Sequence, residues 1–410
     1  MSRHGGPAQD FRMLFFMRAI RLFAYGFISV VLVLYLSELG FNETRVGLLI
    51  ALTYLGDAII SLWLTTRADR WGRRKTLRVG LGLMILGGVV FALSGNFWLL
   101  VAAATIGVIS PSGNEVGPFI AVEQACLAQI VEDRERTRLF AWYHVVGFTA
   151  GALGAAAGGY IVGFLQHKGW SSTTSYRALC WLYAFLGGVL LLLNLQLDHS
   201  VEARNGDEVT RSLGWMGLGE SKSIVTKLSF LFAADSFAGG FIVQSFVAYW
   251  FYRKFGTTIG TLGAIFFGTN LLSGFSALAA VPLARRIGLV NTMVWTHLPS
   301  NLLLLLVPAM PTLTGAVIVL LLRNVISQMD VPTRLSYVNA VVSPSERSAA
   351  NGVTSTARQA GVMLAPLAVG PLMAHFEFSS FTFWISGGIK IIYDLCLWFM
   401  FRSIKPPEER

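Results

Sequence analysis

Polar and charged side chains able to do chemistry interrupt the long apolar stretch between residues 97 and 130. Segment 110–118 reads SPSGNEVGP and contains Asn114 and Glu115, and Glu123 follows about two turns later. A carboxyl group among apolar neighbours either binds a proton or pairs with a cation. Proline and glycine interrupt the regular hydrogen bonds of a helix. The sequence therefore predicts a broken helix whose carboxylates form a site for a proton or a small ligand.

A second group of charges is spaced for one face of a helix. Arg323, Asp330 and Arg334 are separated by seven and four positions, which places them on one stripe of a continuous helix. Asp330 and Arg334 are then expected to pair at i, i+4. Arg323 is left as a positive group that can meet an anion, unless Asp235 or Glu115 reaches it.

The first apolar stretch carries two arginines on one helical face. Arg18 and Arg21 are three positions apart, and Tyr25 lies one turn beyond them. Long basic side chains near a membrane edge extend toward the lipid headgroups, and we expect Arg18 to do so. Arg21 lies deeper and is a candidate contact for an anionic substrate, with Tyr25 beside it.

Other ionisable residues are scattered through apolar stretches. Asp57 has no base within one turn, so a proton site and an ion pair between helices are equally open. Asp235 and Gln244 share one stretch, and Lys390 and Asp394 are expected to form a structural pair at i, i+4. Six bases and six acids predict an interhelical network whose exchange of partners couples proton movement to opening of either side. The bases are Arg18, Arg21, Arg323, Arg334, Arg358 and Lys390, and the acids are Asp57, Glu115, Glu123, Asp235, Asp330 and Asp394.

The composition identifies the solvent of these elements as lipid. The chain has 410 residues, of which 54% are hydrophobic and 13% are charged, whereas soluble domains carry about 25% charged residues. Its mean hydropathy is +0.61, and apolar stretches of about 20 residues, long enough for a helix to cross a bilayer, recur along it. We predict an all-α membrane protein with twelve transmembrane helices in two six-helix bundles related by a pseudo-two-fold axis. The predicted spans are 13–37, 46–66, 77–95, 97–130, 139–165, 177–196, 224–252, 259–283, 289–309, 313–341, 350–375 and 381–401.

The distribution of basic residues predicts the topology. Lysine and arginine are about four times more frequent in loops on the side of the N-terminus than in the other loops, so both termini are expected in the cytoplasm. The expected location is the plasma (inner) membrane. Residues 198–222 form the longest polar segment. They are predicted to be a cytoplasmic linker between an N-terminal bundle (1–197) and a C-terminal bundle (223–410).

A densely charged loop joins the second and third predicted helices, and it contains Asp69, Arg70, Gly72, Arg73 and Arg74. A weaker copy occurs later, because DRWG at 69–72 corresponds to RRIG at 285–288. Similarly, ERT at 135–137 corresponds to ERS at 346–348. Repeated halves are characteristic of transporters that alternate access around a site near the midplane.

These residues and the twelve spans resemble the major facilitator superfamily, in its twelve-helix type similar to proton-coupled drug and metabolite transporters. The family motif between helices 2 and 3 has the pattern G-x-x-x-D-R-x-G-R-R/K. The loop matches it from Asp69 onward, and Thr65 replaces the leading glycine. The resemblance implies alternating access between two bundles. It also implies that Asp69 belongs to a gate and pairs with an arginine of helix 11, for which Arg358 is the candidate.

Several other classes of protein lack support in the sequence. No nucleotide-binding loop of the form G-x-x-x-x-G-K-S/T occurs, and the histidines have no metal-ligand spacing. We therefore expect no enzyme activity, cofactor or metal site. Cys126, Cys180 and Cys396 are expected to be core residues rather than disulfides. The net charge of +10 is explained by the loops, so no nucleic-acid partner is expected.

The predicted function is secondary active transport of a small organic molecule, coupled to protons, with efflux by antiport favoured over uptake. One alternative is proton-coupled uptake of an organic anion by symport, which Arg21, Arg323 and Arg334 favour. Another is a lipid-transporting protein or a receptor of the same fold. The expected partners are the substrate, protons and membrane lipids, and the chain is expected to be a monomer.

Overall fold

The structure is a computed structural model, and it describes residues 7–130, 136–198, 201–202, 218–219, 221–343, 346–375 and 380–404. The regular elements within these ranges are helices. In chain order they are α1 (Pro7–Glu38), α2 (Glu43–Thr65), α3 (Ala68–Trp71), α4 (Arg73–Leu93), α5 (Phe97–Ile106), α6 (Phe119–Ile130), α7 (Arg136–His167), α8 (Ser172–Leu195), α9 (Lys222–Gly240), α10 (Gln244–Phe255), α11 (Ile259–Ile287), α12 (Leu289–Leu306), α13 (Leu313–Ile326), α14 (Asp330–Val341), α15 (Arg347–His375) and α16 (Phe381–Phe401), with a 3₁₀ turn at Val307–Ala309.

The predicted transmembrane spans correspond to these helices. Ten stretches of the described residues are long and apolar enough to cross a membrane, and two of them are the pairs α9–α10 and α13–α14. Of the other two predicted spans, 97–130 is divided between α5 and α6, and 350–375 lies in α15. Each predicted span is thus a helix or a pair of helices, which confirms the all-α membrane fold.

Polar side chains mark where several membrane helices begin. Asn42, Asn96, Ser171 and Thr312 each accept a hydrogen bond from the backbone N–H three residues later. Such a cap satisfies one of the N–H groups that the first turn of a helix leaves without a partner. The apolar residues that follow keep their own backbone bonds inside the helix, as lipid requires.

The predicted break in the fourth span is present between α5 and α6. Residues 107–118 have no regular helix, and Gly113 and Gly117 adopt positive φ angles of 73° and 81°. Side-chain-bearing residues rarely adopt this conformation. The glycines and Pro111 and Pro118 of this segment therefore end one helix and start the next.

A second break lies between α13 and α14. Residues 327–329 form a turn, and the backbone N–H of Gln328 donates to the hydroxyl of Ser276 at 3.1 Å. Arg323 consequently lies on α13, whereas Asp330 and Arg334 lie on α14. The single stripe expected for these residues is wrong, because the turn interrupts the helix on which that spacing depended.

The chain forms two compact units. The first contains Met1–Asp207 and Gln244–Gly268, and the second contains Glu208–Val243 and Thr269–Arg410. α10 belongs to the first unit, where the N–H of Ser245 donates to the carbonyl of Pro111 at 3.2 Å. The division into an N-terminal six-helix bundle at 1–197, a linker at 198–222 and a C-terminal six-helix bundle at 223–410 stays a prediction.

Glycines bring α1 and α7 into close contact in the first unit. A Cβ atom at Gly26 would meet the backbone of Gly151, and one at Gly154 would meet the backbone of Phe23. Small residues at such interfaces allow helix backbones to approach in membranes. The glycine-rich fifth span is therefore a packing surface for α1.

In the second unit, a buried apolar cluster joins α9, α12, α14, α15 and α16. It includes Phe232, Met293, Tyr337 and Leu397, all at most 1% exposed. The cluster places the charged residues of these five helices in fixed positions between apolar side chains.

Candidate functional site

Two arginines and two glutamates form a buried cluster in the first unit. Glu115 accepts from Arg18 Nη1 and from Arg21 Nε, both at 2.7 Å. The other face of Arg21 forms a bidentate pair with Glu123 at 2.7 and 2.8 Å. The side chains of Arg21 and Glu123 are fully buried. Two positive and two negative groups thus compensate each other away from water.

Residues of α7 complete this first cluster. Tyr143 donates its hydroxyl to Glu123, and its backbone carbonyl accepts from Arg18 Nε at 2.9 Å. A Cβ atom at Gly147 would lie 2.9 Å from the Arg18 guanidinium, so the glycine leaves room for that group. The expectation that Arg18 reaches the headgroups is wrong, because the helix break brings Glu115 to α1.

Two further predicted residues form hydrogen bonds with the backbone of the segment between α5 and α6. Asp57 accepts from the backbone N–H of Gly117 at 2.5 Å and from Ser61 at 3.1 Å. Tyr25 donates to the carbonyl of Val116 at 3.4 Å. Asp57 therefore stabilises the non-helical backbone of the break, and its role as a proton site stays a prediction.

Asn114 and Gln244 lie apart from the ion pairs. Asn114 is exposed, and its backbone carbonyl accepts from Ser110 at 2.7 Å. Gln244, at the start of α10, donates its amide to Ser29 of α1 at 2.8 Å. Gln244 thus contributes to packing of α10 on the first unit.

A second buried cluster is centred on Asp235 of α9. Lys390 donates to Asp235 Oδ1 at 2.5 Å, and Arg334 donates to Oδ2 at 3.1 Å. Arg334 also lies 3.5 Å from Asp330, which confirms the predicted i, i+4 pair. All four side chains are at most 8% exposed. One carboxylate is therefore shared by two cations from two other helices.

A histidine that the sequence did not single out as a site residue extends this second cluster. His297 Nδ1 lies 2.8 Å from Asp394, whose second oxygen accepts from Asn301 at 2.9 Å. His297 Nε2 lies 4.0 Å from Asp235 Oδ1. The expected pair of Lys390 and Asp394 is wrong, because each finds its partner on another helix. A histidine and an asparagine four positions apart in an apolar helix were the available signal.

Two arginines of the second unit have few partners. Arg323 has no carboxylate within 4.0 Å among the described residues, and its buried Nε has no hydrogen-bond acceptor there. Arg358 Nε donates to the hydroxyl of Ser236 at 3.3 Å. Both lie in electrostatic range of Asp235 and Asp330. They are positive groups beside an acid that is already shared.

The charged loop of the first unit has a defined backbone. Gly72 has a φ angle of 100° and separates α3 from α4. Arg73 is buried and donates to the carbonyls of Ala125 and Val201 at 3.3 and 3.4 Å. Glu202 accepts from the backbone N–H groups of Arg73 and Arg74 at 2.6 and 3.4 Å.

Only part of the predicted gate lies among the described residues. Arg70 is exposed, and the side chain of Asp69 lies outside the described residues. Glu202, which sequence reasoning missed, caps the N-terminus of α4 through the N–H groups of Arg73 and Arg74. The pairing of Asp69 with Arg358 stays a prediction.

Comparison with known proteins identifies the family. The model of the Major Facilitator Superfamily matches residues 14–251 and 228–410. The uncharacterized membrane protein YJR124C of Saccharomyces cerevisiae is 30% identical over 430 residues, covering 97% of this chain and 95% of that protein. The quinolone resistance protein NorA of Staphylococcus aureus is 25% identical over 174 residues, covering 42% of this chain and 41% of that protein.

Solved structures have the same fold. A bacterial homolog of the human lysosomal transporter Spinster aligns with a TM-score of 0.75 at 14% identity, covering 97% of each chain. The xylose transporter XylE from E. coli aligns with a TM-score of 0.72 at 13% identity, covering 97% of this chain and 98% of that one. The chain therefore belongs to the major facilitator superfamily, as an integral membrane protein and a secondary active transporter rather than an enzyme.

Proposed function

We propose that this transporter moves a small organic molecule in exchange for protons, and that the protons act at the Asp235 cluster. The supporting observation is one buried carboxylate shared by Lys390 and Arg334, with His297 Nε2 4.0 Å away. A shared acid can exchange partners between two arrangements. Such discrete rearrangements of ion pairs convert a local charge change into movement of packed helices.

His297 is the proton-binding group in this proposal. Its Nδ1 is directed at Asp394 at 2.8 Å, so the neutral ring keeps its hydrogen on Nδ1 and its lone pair on Nε2. Histidine is the side chain that ordinarily titrates near neutral pH. A proton on Nε2 gives Asp235 a third positive neighbour. The ion pairs of Asp235 with Lys390 and Arg334 are then weaker.

Groups from three helices face this imidazole. Asp394, Lys390 and the Tyr393 ring come from α16, Asp235 comes from α9, and Asp330 acts from α14. Three carboxylates oppose one ammonium group at the ring. The carboxylate of Asp394, 2.8 Å from Nδ1, therefore lies beside a protonated ring.

The substrate in this proposal carries a negative charge. Among the interior groups of the second unit, four bases stand against three acids when His297 is neutral. The bases are Arg323, Arg334, Arg358 and Lys390, and the acids are Asp235, Asp330 and Asp394. Arg323 and Arg358 have no carboxylate partner within 4.0 Å among the described residues. A carboxylate or phosphate of the substrate is the complementary group.

The proposal also covers the direction of transport and the membrane in which it takes place. Export by antiport is supported by the partial similarity to a quinolone resistance protein. Uptake of the same anion by symport is the second candidate, favoured by the excess of bases. The abundance of lysine and arginine in alternate loops supports cytoplasmic termini in the plasma (inner) membrane. We further propose that the chain works as a monomer with the membrane lipids around it.

Reconstitution in vesicles containing a pH-sensitive dye tests this function. A panel of organic anions, cations and neutral compounds is applied as outward or inward gradients, and proton movement is recorded. We expect proton movement with anions alone. Its direction distinguishes antiport from symport, whereas movement of labelled lipid with no response to the panel supports a lipid-transporting protein.

Two variants identify the coupling group. His297→Gln is expected to abolish substrate-driven proton movement while substrate–substrate exchange continues. The matched control is His375→Gln, because His375 is an exposed histidine at the end of α15. Unchanged proton movement in the His297 variant would exclude this histidine, and a response to neutral compounds alone would exclude the anionic substrate.

A further inference from the structure

We propose a second anion-binding site, separate from the buried clusters, that takes the phosphorylated headgroup of a membrane lipid. It is a cavity of about 780 Å³ in the second unit, at the junction of α11 and α12. Residues of α14, the first residue of α15 and the segment after α16 complete its wall. A phospholipid headgroup fits easily within this volume.

Four arginines make the cavity positively charged. Arg285 and Arg286 come from the end of α11, Arg347 from the start of α15, and Arg402 from the end of α16. All four are exposed, and among the described residues no aspartate or glutamate lines the cavity. None of them has a carboxylate within 4.0 Å among the described residues. Four like charges around one cavity repel each other until an anion enters.

The chemistry of these side chains selects phosphate. A guanidinium group presents a planar fork of N–H donors that matches two oxygens of a phosphate group. Asn291 and Asn339 add amide groups to the wall of the cavity. Guanidinium forks from three helices can surround a tetrahedral anion, which a single surface arginine cannot do.

The duplicated loop explains why the α11–α12 side of the cavity carries bases and no acid. Gly288 precedes α12 with a φ angle of 87°, and Gly72 precedes α4 with a φ angle of 100°. The glycine before each helix therefore adopts a similar positive φ angle. In the second copy, Arg285 stands at the position of Asp69. This replacement turns a loop of mixed charge into a purely basic one.

Apolar side chains at the same cavity favour a lipid over a soluble phosphate. Val281 and Ile287 line it and are 52% and 40% exposed. Arg402 stacks on Trp398 at 4.3 Å, and the neighbouring Phe399 is 63% exposed. Arginine beside tryptophan is typical of the interface between lipid and water. A headgroup phosphate at the arginines would thus leave its acyl chains against apolar side chains.

Thermal unfolding of the purified full chain in a neutral detergent tests the site. The probes are dioctanoyl-phosphatidylglycerol, dioctanoyl-phosphatidylcholine and inorganic phosphate, each titrated to give an apparent Kd from the rise in melting temperature. We expect stabilisation by the anionic lipid alone. Equal stabilisation by inorganic phosphate would overturn the lipid as the source, and equal stabilisation by phosphatidylcholine would overturn charge recognition.

Two double variants locate the binding. Arg285→Ala with Arg286→Ala is expected to weaken the Kd for phosphatidylglycerol by roughly tenfold or more, since each basic group near an anionic lipid contributes appreciably. Arg347→Gln with Arg402→Gln removes the two arginines of the opposite wall and should give the same loss. This second pair serves as the test if the Arg285 and Arg286 variant does not fold. The control, Arg45→Ala with Lys168→Ala, removes the same charge from exposed positions elsewhere. An equal loss in the control, or none in both test pairs, would overturn the site.

Discussion

The buried pair of Arg21 and Glu123 allows a direct test of whether the first cluster is held together by charge compensation. Both side chains are fully buried, and two hydrogen bonds of 2.7 and 2.8 Å join them. Glu123→Gln removes one negative charge with little change in volume. Arg21 then keeps Glu115 as its acid, but Glu115 already neutralises Arg18.

The size of the effect follows from the uncompensated charge. Removing one partner of a buried ion pair costs about 3–5 kcal/mol of unfolding free energy. Arg21→Met leaves a buried glutamate and should cost a similar amount. The double variant leaves Arg18 and Glu115 as a neutral pair, so its cost should fall below the sum of the single variants by about 2 kcal/mol or more.

Thermal unfolding of the four proteins in one detergent measures this coupling. Each single variant is expected to melt roughly 6–20 °C below the parent protein, at about 2–4 °C per kcal/mol for a unit of this size. Glu38→Gln, an exposed acid of α1, is the control and should stay near the parent value. Additive effects in the double variant, or single variants as stable as the control, would refute charge compensation in this cluster.

Three further predictions concern packing, capping and the first cluster. Gly26→Ala should destabilise the protein by about 2 kcal/mol or more, because its Cβ would meet the backbone of Gly151; Gly163→Ala, which meets nothing within 4 Å, is the control in the same melting assay. Glu202→Gln should cost about 1 kcal/mol through weaker capping of α4, measured by chemical denaturation, and a neutral result would contradict the cap. Tyr143→Phe should cost about 1–3 kcal/mol, since buried Glu123 loses a hydroxyl donor, and melting as high as the parent would contradict that role.

Local features of the chain were predictable from the sequence because their causes are local. The helix break of residues 107–118 follows from Pro111, Gly113 and Gly117, whose backbone constraints do not depend on the rest of the fold. The pair of Asp330 and Arg334 needs only one turn of helix, and it is present at 3.5 Å. The lengths of the apolar stretches likewise predicted the twelve spans, each of which is a helix or a pair of helices.

Partners that lie far apart in the chain were not predictable in the same way. Arg18 and Glu115 are 97 positions apart, and Lys390 and Asp235 are 155 positions apart. Their pairing depends on which helices pack together. The glycines that bring α1 and α7 into contact do not indicate which charged residues will meet. The expected pair of Lys390 with Asp394 failed for this reason, since helical spacing permits a contact without selecting it.

The two clusters differ in a way that bears on coupling. In the first, each arginine and glutamate has a partner of opposite charge within 2.8 Å, with Tyr143 on the remaining side. Rearranging such a saturated network means breaking several charge-assisted hydrogen bonds at once, which favours a structural role.

The second cluster is less symmetrical. Asp235 divides its carboxylate between Lys390 and Arg334, while Arg323 keeps a buried Nε without an acceptor among the described residues. An anion that binds Arg323 would compete with Asp235 for the positive groups around it, and a proton on His297 would compete with those groups for Asp235. Substrate and proton would then act on the same carboxylate from opposite sides, so each would change the affinity for the other by the same factor. That reciprocity is why we place coupling in the second unit rather than at Glu115.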